Sequence, residues 1–362
     1  MGPFDASWLT AAIGLTTPVL FAATGELIAE RTGIINIGLE GMILSGAFVG
    51  FIVDWKAGGP WPGIVAGLLA GMTIGGLMAF LSIEANADQI VVGVGLNILA
   101  AGITTFGYEQ IFSTRPQVLL SPMAPVSIPL LHRIPGIGNA LFDQPALAYL
   151  AYLLVPVVWF LLFKTSWGLA IRAAGEVPEA VETAGVSVKR VRWLGTLTAG
   201  AMAGLAGAML SVVQLGFFIE GMSSGRGFLA LAAVIFGRWR PLGVLGACLI
   251  FGGADALQIR LQATGNIPGQ VWLAIAAVPV LAIAYRLART RLRGVNARSA
   301  ILGAALAGGA FALLAVRPHW SLPSQMWLTL PYVLALLVLG GFVGRAHVPA
   351  ALAIPYRRGG RA

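Results

Sequence analysis

The sequence predicts an all-α, polytopic membrane protein with about ten transmembrane helices. Three observations carry this reading. Hydrophobic residues fill 58% of the 362 positions and charged ones only 10%. Mean hydropathy is +0.86. Apolar runs near twenty residues, the length that crosses a bilayer, recur along the chain. The basic residues also sort by loop. With the N-terminus outside, only Lys56, Arg115, Arg133, Arg226, Arg260 and Arg317 face outward, and the rest of the 23 face the cytoplasm, as the positive-inside bias expects. The net charge of +9 therefore orients the chain in lipid, and no nucleic-acid partner is expected.

The spans are placed near 8–28, 33–53, 62–82, 89–112, 144–164, 193–216, 241–259, 267–286, 299–316 and 325–344, as one transmembrane domain over 1–362. The first positive charge is Arg31, so the opening run lacks the basic start of a secretory signal and reads as a retained first span. Residues 217–240 are the weakest stretch. "GRGFLALAAVIFGRWRP" is too short to cross, and it reads as a half-helix entering from outside and leading inward, buried by its neighbours because lipid does not tolerate irregular backbone. The loop 113–143, with Pro116, Pro122, Pro125, Pro129 and Pro135, is read either as an ordered cap or docking surface or as a solvated connector.

Glycines 63, 67, 71 and 75 fall one turn apart, giving the third span a smooth packing face, and "AGAMAGLAGAM" (199–209) has the same character. A late repeat aligns Pro268, Gln270, Trp272 and Leu273 with Pro323, Gln325, Trp327 and Leu328.

Enzymatic chemistry lacks its parts. No lysine follows a glycine, so there is no P-loop, and neither H-E-x-x-H nor C-x-x-C occurs. Cys248 is the lone cysteine and the three histidines are scattered, so no metal or cofactor site is expected in this chain.

Polar residues inside spans are costly and mark a pathway by default. The strongest cluster is "TGIINIGLEGM" (32–42). There Asn36 and Glu40 are spaced one helical turn apart on an expected common face, beside helix-weakening Gly33, Gly38 and Gly41. Asn97 in "VVGVGLNILA" and Asp255 in "GGADALQIR" are the further substrate-pathway candidates. Glu26 and Glu30, which bracket the inner end near Arg31, read as structural.

The loop 166–192 is charged and cytoplasmic. Pro178 suits a first helical turn, Glu176, Glu179 and Glu182 suit an N-terminal half, and Gly185 suits the residue after the C-terminus. "PEAVETAG" is therefore a short, separately stopped helix. A helix this short needs a partner surface, and its polarity points to protein, an ATPase in a transporter without its own nucleotide site.

The segments "ERTGIINIGLEGMILSGAF" (30–48), "ADQIVVGVGLN" (87–97), "RAAGEVPEAVETAGVSVKRVRW" (172–193), "GRGFLALAAVIFGRWRPLG" (225–243) and "PAALAIPYRRGGR" (349–361) resemble the permease subunits of bacterial ATP-binding-cassette importers. Within these, the resemblance is to the nucleoside and simple-sugar branch, related to ribose and branched-chain amino acid permeases. It implies the permease fold of vitamin B12-type importers in the cytoplasmic membrane and a coupling helix over 176–185. The implied partners are a companion permease, a cytoplasmic ATPase that binds the ATP and Mg, and an extracytoplasmic binding protein. The chain departs from that pattern by an insertion of two spans near 267–321, which keeps the tail 345–362 cytoplasmic. Neutral groups such as Asn36 and Asn97 favour a nucleoside or related uncharged solute. A sugar or branched-chain amino acid permease is the near alternative, and an ion-driven transporter using Glu40 or Asp255 is the distant one.

Overall fold

A computed structural model describes residues 5–113, 118–264, 324–331, 333 and 348–356. The predicted spans near 267–286 and 299–316, most of the last one, the insertion, the first copy of the repeat and the end of the basic tail lie outside these residues. Among the described residues the helices are α1 (Ala6–Thr32), α2 (Leu39–Ala57), α3 (Pro60–Ala79), α4 (Gln89–Phe112), α5 (Gly138–Phe142), α6 (Ala146–Lys164), α7 (Ser166–Glu176), α8 (Pro178–Thr183), α9 (Val188–Ala208), α10 (Arg226–Phe236), α11 (Pro241–Thr264) and α12 (Ser324–Trp327). α3 and α9 each continue into a π-helical segment, Phe80–Glu84 and Met209–Leu215. Six of these helices, α1, α3, α4, α6, α9 and α11, are long and apolar enough to cross a membrane. α2 matches them in length but carries Glu40, Asp54 and Lys56.

α1 and α9 form the centre, each 83% buried in its most apolar stretch, whereas α4 is only 22% buried there. The burial difference assigns the roles. α1 packs against α9 and α11, and α2 lies between α3, α4 and α9. α4 and α6 instead turn Val91, Ile98, Phe106, Leu153 and Phe160 outward, as helices facing lipid do.

The glycine faces read from the sequence meet one another. A methyl group at Gly204 would run into the carbonyls of Gly67 and Leu68, one at Gly71 into the backbones of Gly200 and Gly204, and one at Gly67 into the carbonyl of Gly46. With no side chain between them, the backbones of α2, α3 and α9 approach to direct contact, so dispersion replaces the hydrophobic drive that lipid removes.

At the N-terminus of α1, Asp5 caps the helix by accepting from the Trp8 N–H at 2.9 Å and pairs with Arg260 of α11 at 2.8 Å. The Trp8 N–H, then the Ser7 hydroxyl and Arg260, pull its carboxyl down to about 2. Because the folded value is the lower one, this clasp is complete above the ordinary carboxylate range and is lost only as pH falls through about 2. Titrating Asp5 by carbon-detected NMR should place its midpoint there, and a midpoint near 4 would show that the clasp is absent.

The loop 113–143 is an ordered cap over its described residues. β1 (Pro125–Ser127) pairs antiparallel with β2 (Asp143–Pro145), a small sheet the helical reading did not include. Leu120 N–H donates to the Gly216 carbonyl at 2.7 Å, and Met123 N–H donates to that of Val213 at 3.2 Å. The cap is thereby stitched to the π-helical end of α9.

Candidate functional site

The glycine-flanked stretch 33–38 is not helical, and α2 starts only at Leu39. Asn36 and Glu40 therefore do not share a helical face as the spacing implied. The reason lies in the hydrogen bonding of the break. Asn36 is fully buried. Its N–H donates to Glu26 Oε1 at 2.9 Å, and its Oδ1 accepts from the Gly38 N–H at 3.1 Å. Side chains thus satisfy the backbone that an uninterrupted helix would have satisfied itself. Asn97 completes the arrangement from α4, accepting from the Gly41 N–H at 2.8 Å and donating to the Ile37 carbonyl at 2.9 Å. Gln89, which the sequence reading passed over, accepts from the Ile35 N–H at 2.9 Å. Its place in "ADQIVV", at a span's entry, was the available signal.

Glu40 faces elsewhere. Its two carboxylate oxygens accept from the Gly225 and Gly227 N–H groups, each at 2.7 Å. It thereby closes the N-terminus of α10, the predicted half-helix, through charge-assisted bonds aligned with the helix dipole. Gly227 is required by proximity, since a Cβ there would meet the Glu40 backbone. The other end of α10 is held from α1. The buried Trp239 donates its indole N–H to Glu30 Oε2, and Arg31 Nη2 donates to the Trp239 carbonyl at 2.7 Å. Glu26 and Glu30, 0% and 1% exposed, are thus structural acceptors, as read. α10 is a short helix pinned at both ends inside the bundle by two carboxylates.

Asp255 stands apart from this cluster, in the second half of α11. Two residues before it, Gly253 packs against Trp8, and five residues after it, Arg260 reaches Asp5. With Arg226 and Leu229 of α10 and Gln258 of α11 it lines a cavity of about 280 Å³.

The charged loop 166–192, expected on the cytoplasmic side, contains α7 and α8. Pro178 is the first residue of α8, and Gly185 follows its C-cap with φ +82, the left-handed conformation that glycine adopts without strain. Glu179 is exposed, Glu176 and Glu182 are half-buried, and Pro178 is buried. Glu182 accepts from the Val188 N–H at 3.2 Å, steering the chain into α9. Val177 and Val186 are exposed beside them, and nothing lies within 4 Å of a Cβ at Gly185. The segment 348–356 lies over the same end. Ala351 N–H donates to the Gly175 carbonyl at 2.8 Å, Ala353 N–H to that of Gly33 at 3.1 Å, and Arg192 Nη1 to that of Ile354 at 2.9 Å. Among the described residues no cluster of acidic, histidine or cysteine side chains is arranged to hold a metal.

Residues 9–284 match the family model described as branched-chain amino acid transport system / permease component. A putative glucose ABC transporter permease protein of Haloferax volcanii, TsgC13, is 42% identical over 262 residues, covering 72% of this chain and 79% of that protein. The guanosine ABC transporter permease protein NupQ of Bacillus subtilis is 32% identical over 352 residues, 95% of this chain and 94% of that protein. The nucleoside ABC transporter permease protein NupC of Lactococcus lactis is 36% identical over 262 residues, 70% and 81%. The same three organisms each hold a second, more distant relative, at 26%, 26% and 25% identity. No solved structure is matched. The helices, the charge asymmetry and these similarities agree: the chain is a multi-pass, non-enzymatic membrane protein that belongs to the family of branched-chain amino acid transport system permease components.

Proposed function

We propose that this chain is one of two permease halves of an ATP-binding-cassette importer that carries a nucleoside across the cytoplasmic membrane. The observation that carries the reading is the similarity to the guanosine permease, which spans nearly both chains. The polar residues of the bundle centre support it. Asn36 and Asn97 are neutral and bound to backbone groups of the break, and Glu40 is held by two backbone N–H donors, so its carboxylate is not free for an ionic cargo. A ten-crossing permease of the vitamin B12 importer type, with two further spans inside 267–321, is the architecture proposed with it. The companion half is proposed to be a different chain, similar to the second, more distant relative found in each of the three organisms.

α8 is the proposed contact for a cytoplasmic ATPase, which would hold the ATP and Mg. It stands out from the bundle, presents Glu179 to solvent and joins α9, a central helix, through the Glu182 bond. Gly185→Pro, or Glu179→Lys with Glu182→Lys, should reduce uptake at least tenfold while membrane insertion persists. Glu179→Lys is the cleaner variant, because Glu182 also holds the start of α9. Normal uptake in all of them would remove the coupling role.

Glucose is the second reading, favoured by the 42% identity to the Haloferax protein. Copurification from detergent-solubilised membranes should recover an ATPase, a second permease and a binding protein. Uptake of labelled guanosine and labelled glucose by the reconstituted set then decides between the solutes. Transport by this chain alone would overturn both.

A further inference from the structure

We infer that the cavity between α10 and α11 is a solute-contact site of the translocation pathway. It takes a neutral solute that carries hydroxyl or amide groups along one edge and an apolar face on the other. This inference rests on the nucleoside-importer reading for its solute, but its location rests on the structure alone.

The chemistry of the walls motivates it. Arg226 stands at the first position of α10. Its Nη1 donates to the carbonyls of Met222 and Ser223 at 3.1 and 3.3 Å, while its buried Nε–H has no partner among the described residues. Asp255 lies near enough for its charge to interact with Arg226 but forms no ion pair with it among the described residues. Gln258 follows Asp255 by three residues and so projects from the same side of α11. Neither Asp255 nor Gln258 makes a hydrogen bond to another described residue. A donor, an acceptor and an amide that is both therefore line one cavity with unused capacity. Leu229, Ile259 and Leu328 supply apolar surface on the same cavity.

Three features point to a pathway rather than to a packing flaw. The cavity, about 280 Å³, is close to the lower bound of roughly 300 Å³ for small-molecule pockets. It lies at the start of a helix too short to span, as interior solute sites in transporters do. That helix is pinned independently by Glu40 and Glu30, so Asp255 is not needed to hold it. A buried polar atom without a partner in an apolar helix bundle, such as Arg226 Nε, is costly unless a passing solute or water uses it.

The test uses the complete importer, with its companion permease, ATPase and binding protein, in proteoliposomes. The first arm is independent of the solute. Gln258→Cys, made in a Cys248→Ser background, should react with a small water-soluble methanethiosulfonate. Ala256→Cys, at a buried position of the same helix, should not. Equal, negligible labelling of both would overturn the site. In the second arm, Asp255→Asn and Gln258→Leu should each lower the maximal rate of guanosine uptake roughly tenfold, the scale of one lost hydrogen bond to a charged or amide group. KM, set by the binding protein, and solute-independent ATPase activity should stay unchanged, which a purely structural defect would not produce. Wild-type uptake rates in both variants would overturn the site. If the unaltered importer fails to carry guanosine, the nucleoside reading falls, and the labelling arm still decides whether the cavity lies on an aqueous path.

Discussion

Gly204→Leu should abolish the folded protein. A side chain at Gly204 meets the carbonyls of Gly67 and Leu68, which are backbone atoms of α3 that cannot turn aside. Relief requires α3 and α9 to separate along the whole seam from Gly67 to Gly75. Overpacking of a core costs about 1–3 kcal/mol where side chains can yield. Here none can, and on the order of 5 kcal/mol is expected, comparable to the total stability of many proteins. Fluorescence-detected gel filtration of detergent extracts should show the variant as aggregate. Gly102→Ala is the matched control. It lies in the exposed helix α4 with nothing within 4 Å of its Cβ, and alanine favours helix over glycine by up to about 1 kcal/mol. It should keep or slightly raise the melting temperature. A monodisperse, thermally normal Gly204→Leu protein would show that the seam is looser than its geometry.

The second large effect is expected at Glu40. Glu40→Ala leaves the Gly225 and Gly227 N–H groups without their acceptors, and a hydrogen bond to a charged group contributes about 1.5–3 kcal/mol. The loss is local. α1, α3 and α9 keep their own contacts, so the protein should still be extracted intact while the first turn of α10 frays. Hydrogen exchange over residues 225–229 should accelerate at least a hundredfold and uptake should fall to background. Glu40→Gln keeps one acceptor oxygen and loses the charge, so it should lie between. Unchanged exchange in Glu40→Ala would mean that neighbouring packing alone holds the half-helix. An ion-driven mechanism would instead predict that Glu40→Gln abolishes transport without any change in exchange.

The two variants separate two kinds of information. The glycine seam was legible in the sequence because its spacing is local: residues four apart on one helix must share a face, and four glycines in that register leave only packing to explain them. Helix α8 was legible for the same reason, with Pro178 and Gly185 marking its two ends through backbone preferences that need no distant partner. Membrane class and the short helix α10 followed from run length and charge placement.

The roles of the polar residues were not legible in this way. Spacing placed Asn36 and Glu40 on one face, yet one folds back on Gly38 and the other reaches Gly225, 185 positions away. Glu30 finds Trp239 across 209 positions. Hydrogen bonds of that span are decided by which helices the packing brings together, and a sequence states only that a polar group in the bilayer must find a partner. The sequence by itself therefore determined the membrane class, the helices, their packing faces and the ends of α8, all of which depend on neighbours within a few turns. Only the tertiary structure decided which polar groups are used up in holding the chain and which, at Asp255, Gln258 and Arg226, are left with capacity to spare, because that depends on the positions of partners far apart in the chain.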